Sequence, residues 1–295
     1  VWVISFWENL KCPKQFNLVE LGAGNGEMMK VLVDTFNKFP QFKNACNVKI
    51  LEKSELLRKI QKKKKIKDKK IKWLNNLNEL NNLPCIFIAN EFFDSLPIKQ
   101  FIKKNNKWNE RYVKFSNQIK PEYLDIPFDI QKLEQKIKFK IASGQKFIEY
   151  SPLSFKYLKS ITDKIKRNDG GILIIDYGYF EKKMRNTIQA ISKHKYTDVL
   201  INSGNSDITY NLSFDQIGQI IKKLGPFHQS TTTQKEFLTK LGILERAETL
   251  SKKMLFSKKA DMYYRVKRLI DDSQMGNLFK VILVTNKKNK FRLGF

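Results

Sequence analysis

Cysteine is scarce in this chain of 295 residues, and so are histidine and arginine. The three cysteines, Cys12, Cys46 and Cys85, are odd in number, lack CxxC spacing and sit in or beside apolar stretches. We therefore expect reduced, buried thiols rather than disulfides or metal ligands, and the sequence predicts no metal site. Thiols of this kind favour a reducing compartment.

Long apolar runs are missing as well. The longest candidate, residues 1–10, is interrupted by Ser5, Glu8 and Asn9, whereas a membrane helix needs roughly 18 consecutive apolar residues. We predict no membrane insertion. The chain opens at Val1 without the basic, apolar and cleavage-site pattern of a targeting signal, and we expect it to be a fragment.

The shortage of arginine decides how the basic charge is interpreted. The formal net charge is +27, and 48 of the 56 basic residues are lysine. A basic surface attracts nucleic acid and anionic membranes, but base reading and bidentate phosphate binding favour arginine. The excess lysine accompanies many asparagines and isoleucines, as AT-rich coding DNA produces. For the densest run, residues 62–70, we predict a solvated surface and no specific nucleic-acid partner.

Short apolar runs alternate with longer helical patterns along the chain. The runs are residues 16–21, 48–52, 71–74, 85–89 and 171–176. Such alternation predicts an α/β fold with a mostly parallel central sheet and helices on both faces. The run at 278–285 is typical of a last strand in the same sheet. Within one domain, residues 1–295, we predict a mixed insertion at about 101–145 and a helical segment at about 236–273.

The strongest chemical signal is a strand that enters a glycine turn and then a helix, at residues 18–27. The glycines let the backbone fold tightly and let a ligand approach closely. Their spacing is GxGxG, whereas nicotinamide sites have GxGxxG, and Glu27 occupies the last position of that pattern. Carboxylates at Glu20 and Glu27 disfavour a pyrophosphate and suit the cationic groups of S-adenosylmethionine. The alternative is a turn that merely packs the helix on the strand. The three glycines are Gly22, Gly24 and Gly26.

Polar residues follow the second and third predicted strands. Glu52 ends the second strand, 30 residues after Gly22, where a carboxylate can accept hydrogen bonds from ribose hydroxyls. The alternative for Glu52 is ordinary solvation at a strand end. After the third strand, Asn75 and Asn76 could meet the adenine edge or serve a turn.

Two carboxylates and two aromatic residues follow the fourth predicted strand, in the pattern Asn-Glu-Phe-Phe-Asp-Ser-Leu-Pro at residues 90–97. Ligands of open α/β sheets bind outside the carboxyl ends of the strands. There, Glu91 and Asp94 could hold a guanidinium group and the phenyl rings could shield it. The alternative is a helix capped by Asp94, with Phe92 or Phe93 in the core.

These motifs, taken in order, resemble the MidA-like family of class I S-adenosylmethionine-dependent methyltransferases. The family includes the mitochondrial arginine methyltransferase that assists assembly of respiratory complex I. The patterns at 90–97 and 174–178, together, are much more specific than the glycine turn. The resemblance covers nearly the whole chain, through residues 18–26, 52–61, 90–98, 149–152, 174–178, 187–194, 207–214, 237–243 and 275–280.

The resemblance implies a Rossmann-like fold and S-adenosyl-L-methionine as cofactor. It implies that Glu20 and the three glycines bind the methionine end of the cofactor and that Glu52 binds the ribose. The target would enter above Asn90, Glu91 and Asp94, where the carboxylates would orient a guanidinium group and help to remove its proton. Family members usually carry a preceding GDFxTS-type segment, which this chain lacks.

The predicted function is thus arginine N-methylation of a protein, a complex I subunit by resemblance. A non-catalytic complex I assembly chaperone is the alternative, and a nucleotide-dependent oxidoreductase or nucleic-acid binder is disfavoured by the glycine spacing and the lysine-rich charge. His194 is either a base or a surface histidine, and Asp176 either shapes the cleft or caps a turn. A homodimer stays open. We expect a bacterial cytoplasm, or the mitochondrial matrix if the host is eukaryotic.

Overall fold

The computed structural model describes residues 1–64, 71–116, 119–141, 143–192, 195–201 and 204–295. Most of the lysine run at 65–70, and His194, lie outside these residues. The strands, in chain order, are β1 (Phe16–Leu21), β2 (Cys46–Leu51), β3 (Lys72–Leu74), β4 (Cys85–Asn90), β5 (Lys99–Lys104), β6 (Lys107–Ser116), β7 (Ile119–Pro127), β8 (Phe147–Tyr150), β9 (Gly170–Tyr179), β10 (Gln189–Ser192), β11 (Lys195–Thr197), β12 (Asp207–Thr209), β13 (Leu212–Ser213), β14 (Phe227–Thr233) and β15 (Phe279–Asn286).

Helices alternate with these strands in the order expected for an α/β protein. They are α1 (Trp2–Asn9), α2 (Glu27–Phe36), α3 (Pro40–Ala45), α4 (Glu55–Lys63), α5 (Ile130–Ile137), α6 (Pro152–Asn168), α7 (Phe214–Leu224), α8 (Gln234–Lys240), α9 (Ile243–Ser251), α10 (Phe256–Ile270) and α11 (Met275–Leu278), with a short 3-10 helix at Leu77–Glu79. Among the described residues, no helix has the length and apolarity needed to cross a membrane.

The chain forms two compact units. The first unit comprises Val1–Phe92, Ser160–Asp176 and Pro226–Phe295, and the second comprises Phe93–Lys159 and Tyr177–Gly225. The chain passes from one unit to the other four times: after Phe92, within α6, within β9 and after Gly225.

The first unit is built on a mostly parallel sheet with the strand order β14-β15-β9-β4-β1-β2-β3. β1 pairs in parallel with β2 and β4, and β4 pairs in parallel with β9. β14 and β15 are antiparallel neighbours, so the last strand joins the same sheet as the first. The predicted fold class is confirmed.

Burial explains why the central strands read as continuous apolar runs. Every residue of β1 is buried, and so are seven of the eight residues of β15. A strand covered on both faces has no solvent side on which polar residues could alternate. Helix α2 shows the complementary pattern, because its buried residues Met29, Val33 and Phe36 recur at helical spacing.

Helix α1, the apolar run at the start of the chain, is part of the core. Trp2, Phe6 and Trp7 are buried in the main cluster of the first unit. The Trp7 indole donates a hydrogen bond to the Pro13 carbonyl at 3.1 Å, and the Trp2 indole donates to the Leu293 carbonyl at 3.2 Å. These bonds satisfy the polar atoms of two otherwise apolar side chains.

The second unit contains two antiparallel sheets, ordered β7-β6-β5-β8 and β11-β10-β12. In the first of these sheets, β6 and β7, together with α5, fall in the range predicted for the mixed insertion, whereas β5 begins just before that range and β8 follows it. Its core includes Phe101, Leu133 and Ile148. Helices α8, α9 and α10, in the range predicted to be helical, belong to the first unit.

Two alternatives left open for individual residues are excluded, and one prediction is wrong. Asp94 does not cap a helix, because it lies in a turn and the next element is β5; Phe92 and Phe93 are buried, as that alternative supposed. Asp176 does not cap a turn, because β9 continues through it to Tyr179. Its side chain is fully buried. Cys12 is an exposed free thiol, whereas Cys46 and Cys85 are buried as predicted.

Candidate cofactor site

Four predicted site residues follow one row of the parallel sheet. The neighbouring residues of that row are Leu21, Leu51, Leu74 and Ala89. The residues that come next in the chain are Gly22, Glu52, Asn75 and Asn90. Because the carboxyl ends of parallel strands share one edge, these four residues lie along the edge at which open α/β sheets bind ligands.

The glycine turn follows β1 with a left-handed backbone. Gly22 has φ +65°, and a Cβ there would lie 2.7 Å from Phe92 Cδ2. Gly24 has φ +51°, and nothing lies within 4 Å of where its Cβ would be. A side chain at Gly22 is excluded by strain and contact, whereas the space at Gly24 leaves its backbone open to a ligand.

Gln61, on α4, ties the glycine turn to Glu52. Its Nε2 donates to the Gly24 carbonyl at 2.8 Å and to Glu52 Oε2 at 3.3 Å. The Trp73 indole donates to Gln61 Oε1 at 2.7 Å, so donors and acceptors fix the amide orientation. Only 1% of Gln61 is exposed. Gln61 is a structural member of the site that we did not predict, because its burial depends on how α4 packs against the glycine turn.

Glu52 is held in place by its own loop. The Ser54 backbone N–H donates to Glu52 Oε1 at 2.9 Å, and Ser54 then caps α4 by accepting from Leu57 N at 3.3 Å. The guanidinium of Arg58 donates to the carbonyls of Glu52 and Leu74, each at 2.7 Å. These bonds fix the carboxyl ends of β2 and β3 against each other, and they position the Glu52 carboxylate.

Glu20, near the end of β1, is a buried carboxylate that lacks a full set of hydrogen bonds. It is 2% exposed, and its Oε2 has no hydrogen-bond partner among the described residues. Burial, and secondarily the charge of Glu52, raises the pKa of Glu20 to about 7. A buried acceptor without a donor costs free energy unless a ligand supplies one. Two nearby carboxylates favour a cationic ligand, so this site fits the ammonium end of S-adenosyl-L-methionine.

The asparagines after β3 have clear local partners. The backbone N–H of Asn75 donates to Glu79 Oε1 at 2.8 Å, and the carbonyl of Asn75 accepts from Lys53 Nζ at 2.5 Å. Asn76 caps the short 3-10 helix by accepting from Asn78 N at 2.9 Å. Asn76 therefore serves the turn, while Asn75 stands at the predicted adenine end of the row.

The predicted catalytic residues are divided between the units. Asn90 and Glu91 belong to the first unit, where Asn90 Nδ2 donates to Glu91 Oε1 at 3.2 Å. The Glu91 backbone N–H donates to the Ile175 carbonyl at 3.0 Å, and its φ of +48° turns the chain away from β4. Glu91 is exposed. Asp94 is 4% exposed and belongs to the second unit.

Two curated relatives align with most of the chain. The mitochondrial protein arginine methyltransferase NDUFAF7 of Xenopus laevis is 26% identical over 314 residues, which cover 96% of this chain and 70% of that protein. The mitochondrial homolog of Caenorhabditis elegans is 28% identical over 280 residues, which cover 85% of this chain and 63% of that protein.

Two crystal structures of superfamily members from Burkholderia thailandensis share the fold. One has a TM-score of 0.80 at 20% identity and covers 98% of this chain and 78% of that one. The other, bound to S-adenosyl-homocysteine, has a TM-score of 0.79 at 20% identity and covers 98% and 76%. The family model described as "Putative S-adenosyl-L-methionine-dependent methyltransferase" matches residues 1–230. The MidA-like resemblance and the predicted cofactor, S-adenosyl-L-methionine, are confirmed. With 230 of its 295 residues matched, this chain belongs to the family of S-adenosyl-L-methionine-dependent methyltransferases.

Proposed function

We propose that the chain methylates an arginine side chain of another protein, and that this protein is a subunit of respiratory complex I. The observation that carries the proposal is the name shared by its relatives, protein arginine methyltransferase, over 96% of this chain. The complex I substrate rests on the MidA-like family, which includes an assembly factor of that complex. The relatives' mitochondrial names support the matrix if the host is eukaryotic, and the bacterial cytoplasm is proposed otherwise.

For the cofactor, each predicted binding residue has a proposed role. Glu20, with its unpartnered Oε2, accepts a hydrogen bond from the ammonium group, and the backbone of Gly24 borders the methionine end. Glu52, already oriented by Ser54 and Gln61, accepts from the ribose hydroxyls. Gly22 and Gly26 keep the turn close to the strand, and Asn75 lies towards the adenine. When bound, the cofactor supplies an electrophilic methyl group on a sulfonium.

For the substrate, the chain supplies orientation and a proton acceptor. Glu91 is an exposed carboxylate at the strand edge, and Asn90 donates a hydrogen bond that orients it. A carboxylate there can accept two hydrogen bonds from a guanidinium group and align one nitrogen with the methyl group. As the nitrogen attacks, Glu91 accepts its proton. Asp94 is proposed for the same role on the basis of the family pattern.

The test is methyl transfer to protein. The chain is incubated with S-adenosyl-L-methionine and the purified complex I subunits of its host, and methylarginine is mapped by mass spectrometry. We expect one modified arginine in one subunit. Glu91→Gln should lower kcat about a hundredfold or more while cofactor affinity stays within twofold. Asp94→Asn is measured in parallel.

Glu8→Gln, at an exposed glutamate of α1, is the matched control and should retain wild-type kcat. Methylation of lysine instead of arginine, or wild-type kcat in Glu91→Gln, would contradict the proposal. Cofactor binding without any methyl transfer to the subunits would favour the assembly chaperone.

A further inference from the structure

The corner between α9 and α10 is fully exposed over nine consecutive residues. Residues 252–260 read Lys-Lys-Met-Leu-Phe-Ser-Lys-Lys-Ala, and each of them is exposed. Three apolar side chains occupy the centre: Met254 is 38% exposed, Leu255 73% and Phe256 86%. Single exposed apolar residues are ordinary, but three in succession at the tip of a corner form a patch whose contact with water is unfavourable.

The corner is anchored to the first unit. Ser251, the last residue of α9, is buried, and its carbonyl accepts from the Met254 backbone N–H at 3.0 Å. Leu255 is the N-cap of α10, and its carbonyl accepts from Lys259 N at 2.9 Å. Leu255 and Phe256 therefore project from a hydrogen-bonded turn between two helices.

Four lysines surround the apolar centre. Lys252 and Lys253 precede it, Lys258 and Lys259 follow it, and residues 252–260 contain no acid. In the described part of the chain, none of these four lysines is in an ion pair. The nearest following acid, Asp261, pairs with Arg265 at 3.0 Å. The corner thus combines an apolar tip with an uncompensated positive rim.

We propose that this corner docks the protein onto an anionic lipid surface. Leu255 and Phe256 would enter the interface between headgroups and acyl chains, while the four lysines meet the lipid phosphates. Neither feature suffices alone, because a small apolar anchor binds membranes weakly and surface charge is screened by salt. This is peripheral binding at a surface, and it needs no spanning helix.

Charge separates lipid from the other possible occupants. A second copy of the chain would bring the same four lysines, and a net charge of +27, against the corner. A nucleic-acid duplex would engage the lysines but leave Leu255 and Phe256 in water. An anionic membrane is the surface that offers negative charge outside and an apolar layer beneath it.

The test is flotation of the full chain with two kinds of vesicles, phosphatidylcholine alone and phosphatidylcholine containing phosphatidylglycerol. We expect flotation only with the anionic vesicles, and less of it as salt rises. Leu255→Ser with Phe256→Ser should reduce the bound fraction at least about tenfold. Serine at Leu255 is a favourable N-cap, so the loss would not come from unfolding of α10. Changing the four lysines to glutamine should abolish the preference for anionic vesicles.

Val31→Ser with Leu56→Ser is the matched control, because these residues are 62% and 68% exposed elsewhere in the first unit. This variant should float like the wild type. The proposal would be overturned if the folded wild type stayed out of the anionic vesicle fraction, or if the control lost as much binding as the corner variant. Equal flotation of the Leu255 and Phe256 double variant and the wild type would also overturn it.

Discussion

Two buried glutamates, one in each unit, differ in how completely their carboxylate oxygens are hydrogen-bonded. Glu149, on β8 of the second unit, is 5% exposed, and Glu20, on β1 of the first, is 2% exposed. Burial raises the pKa of both carboxyl groups. Glu149 nevertheless accepts hydrogen bonds from Thr187, Gln100 and the backbone of Ile188, whereas Glu20 Oε2 has no partner within the described residues.

The contrast distinguishes a structural carboxylate from one that is poised for a ligand. Glu149 joins strands and loops of its unit, and Tyr179 nearby has its pKa raised to about 12 by burial and by the Glu149 charge. Glu20 stabilises nothing with its free oxygen and stands beside a glycine turn and a second carboxylate. A buried carboxylate oxygen without a donor destabilises the folded chain. Its presence is explained if a cationic ligand supplies the missing donor.

The largest expected effect is on stability, at Glu149. Glu149→Ala removes the acceptor shared by the Thr187 backbone N–H, the Thr187 hydroxyl and the Gln100 amide, although Gln100 keeps its bond to Asn186 and the Thr187 hydroxyl its bond to the Asn211 carbonyl. We expect the free energy of unfolding to fall by about 4 kcal/mol. Urea denaturation measures it. Glu122→Ala, at an exposed glutamate of β7 in the same unit, should change stability by less than about 0.5 kcal/mol. If the two variants lost the same free energy of unfolding, Glu149 would have no special structural role.

The second prediction concerns pH and Glu20. Its pKa rises from an ordinary 4.5 when unfolded to about 7 when folded, so the folded state binds the extra proton between these values. Stability should therefore fall as pH rises from 4.5 to 7, by about 3 kcal/mol. In Glu20→Gln this component is absent, and the variant should be more stable than the wild type at pH 8. Parallel denaturation curves at several pH values measure the difference, and parallel pH profiles would contradict it.

The third prediction is the functional counterpart at the same residue. Glu20→Gln should weaken cofactor binding roughly ten- to a hundredfold, because a charge-assisted hydrogen bond to the ammonium group is lost. S-adenosylhomocysteine keeps the ammonium but lacks the sulfonium, so contact with the ammonium predicts equal losses for both ligands. Below pH 7, wild-type binding should release a proton, which calorimetry in buffers of different ionisation enthalpy detects. A loss confined to the sulfonium ligand would reassign the contact.

The smallest effect is expected at Gln61. Gln61→Ala removes the link between Gly24 and Glu52, and we expect the cofactor dissociation constant to rise about fivefold to tenfold. Lys59→Ala, at an exposed position of the same helix, should leave it unchanged. If Gln61→Ala left the affinity for the cofactor unchanged, the hydrogen bond from Ser54 alone would be enough to orient the Glu52 carboxylate.

The sequence predicts the frame of this site better than its inner contacts. The strand limits of β1, the start of α2 and the positions of Glu20 and Glu52 follow from apolar runs and glycine spacing, which are local signals. The role of Gln61 depends on how α4 packs against the turn, and no local pattern encodes that packing. The alternative of a helix cap at Asp94 could not be excluded from sequence, because a capping residue after a strand favours a helix only if the following chain can continue it.

The exposed corner shows the opposite limit. The lysine-rich composition argues for a solvated surface, and charge counts alone do not distinguish one lysine pair from another. The three-dimensional structure is needed to show that Leu255 and Phe256 are apolar side chains exposed to solvent between two such pairs. Composition describes the average surface, whereas binding depends on local exceptions to it.

The central claim is that the edge of the parallel sheet near Glu20 and Glu52 binds S-adenosyl-L-methionine, and that these residues contact the ammonium and ribose groups of the cofactor. Calorimetric titration of the wild type, Glu20→Gln and Glu52→Ala with S-adenosyl-L-methionine, S-adenosylhomocysteine and NADH tests it most directly. The account predicts binding of the first two ligands, weakened in both variants, and no binding of NADH. Wild-type affinity in both variants, or tighter binding of NADH than of S-adenosyl-L-methionine, would contradict it.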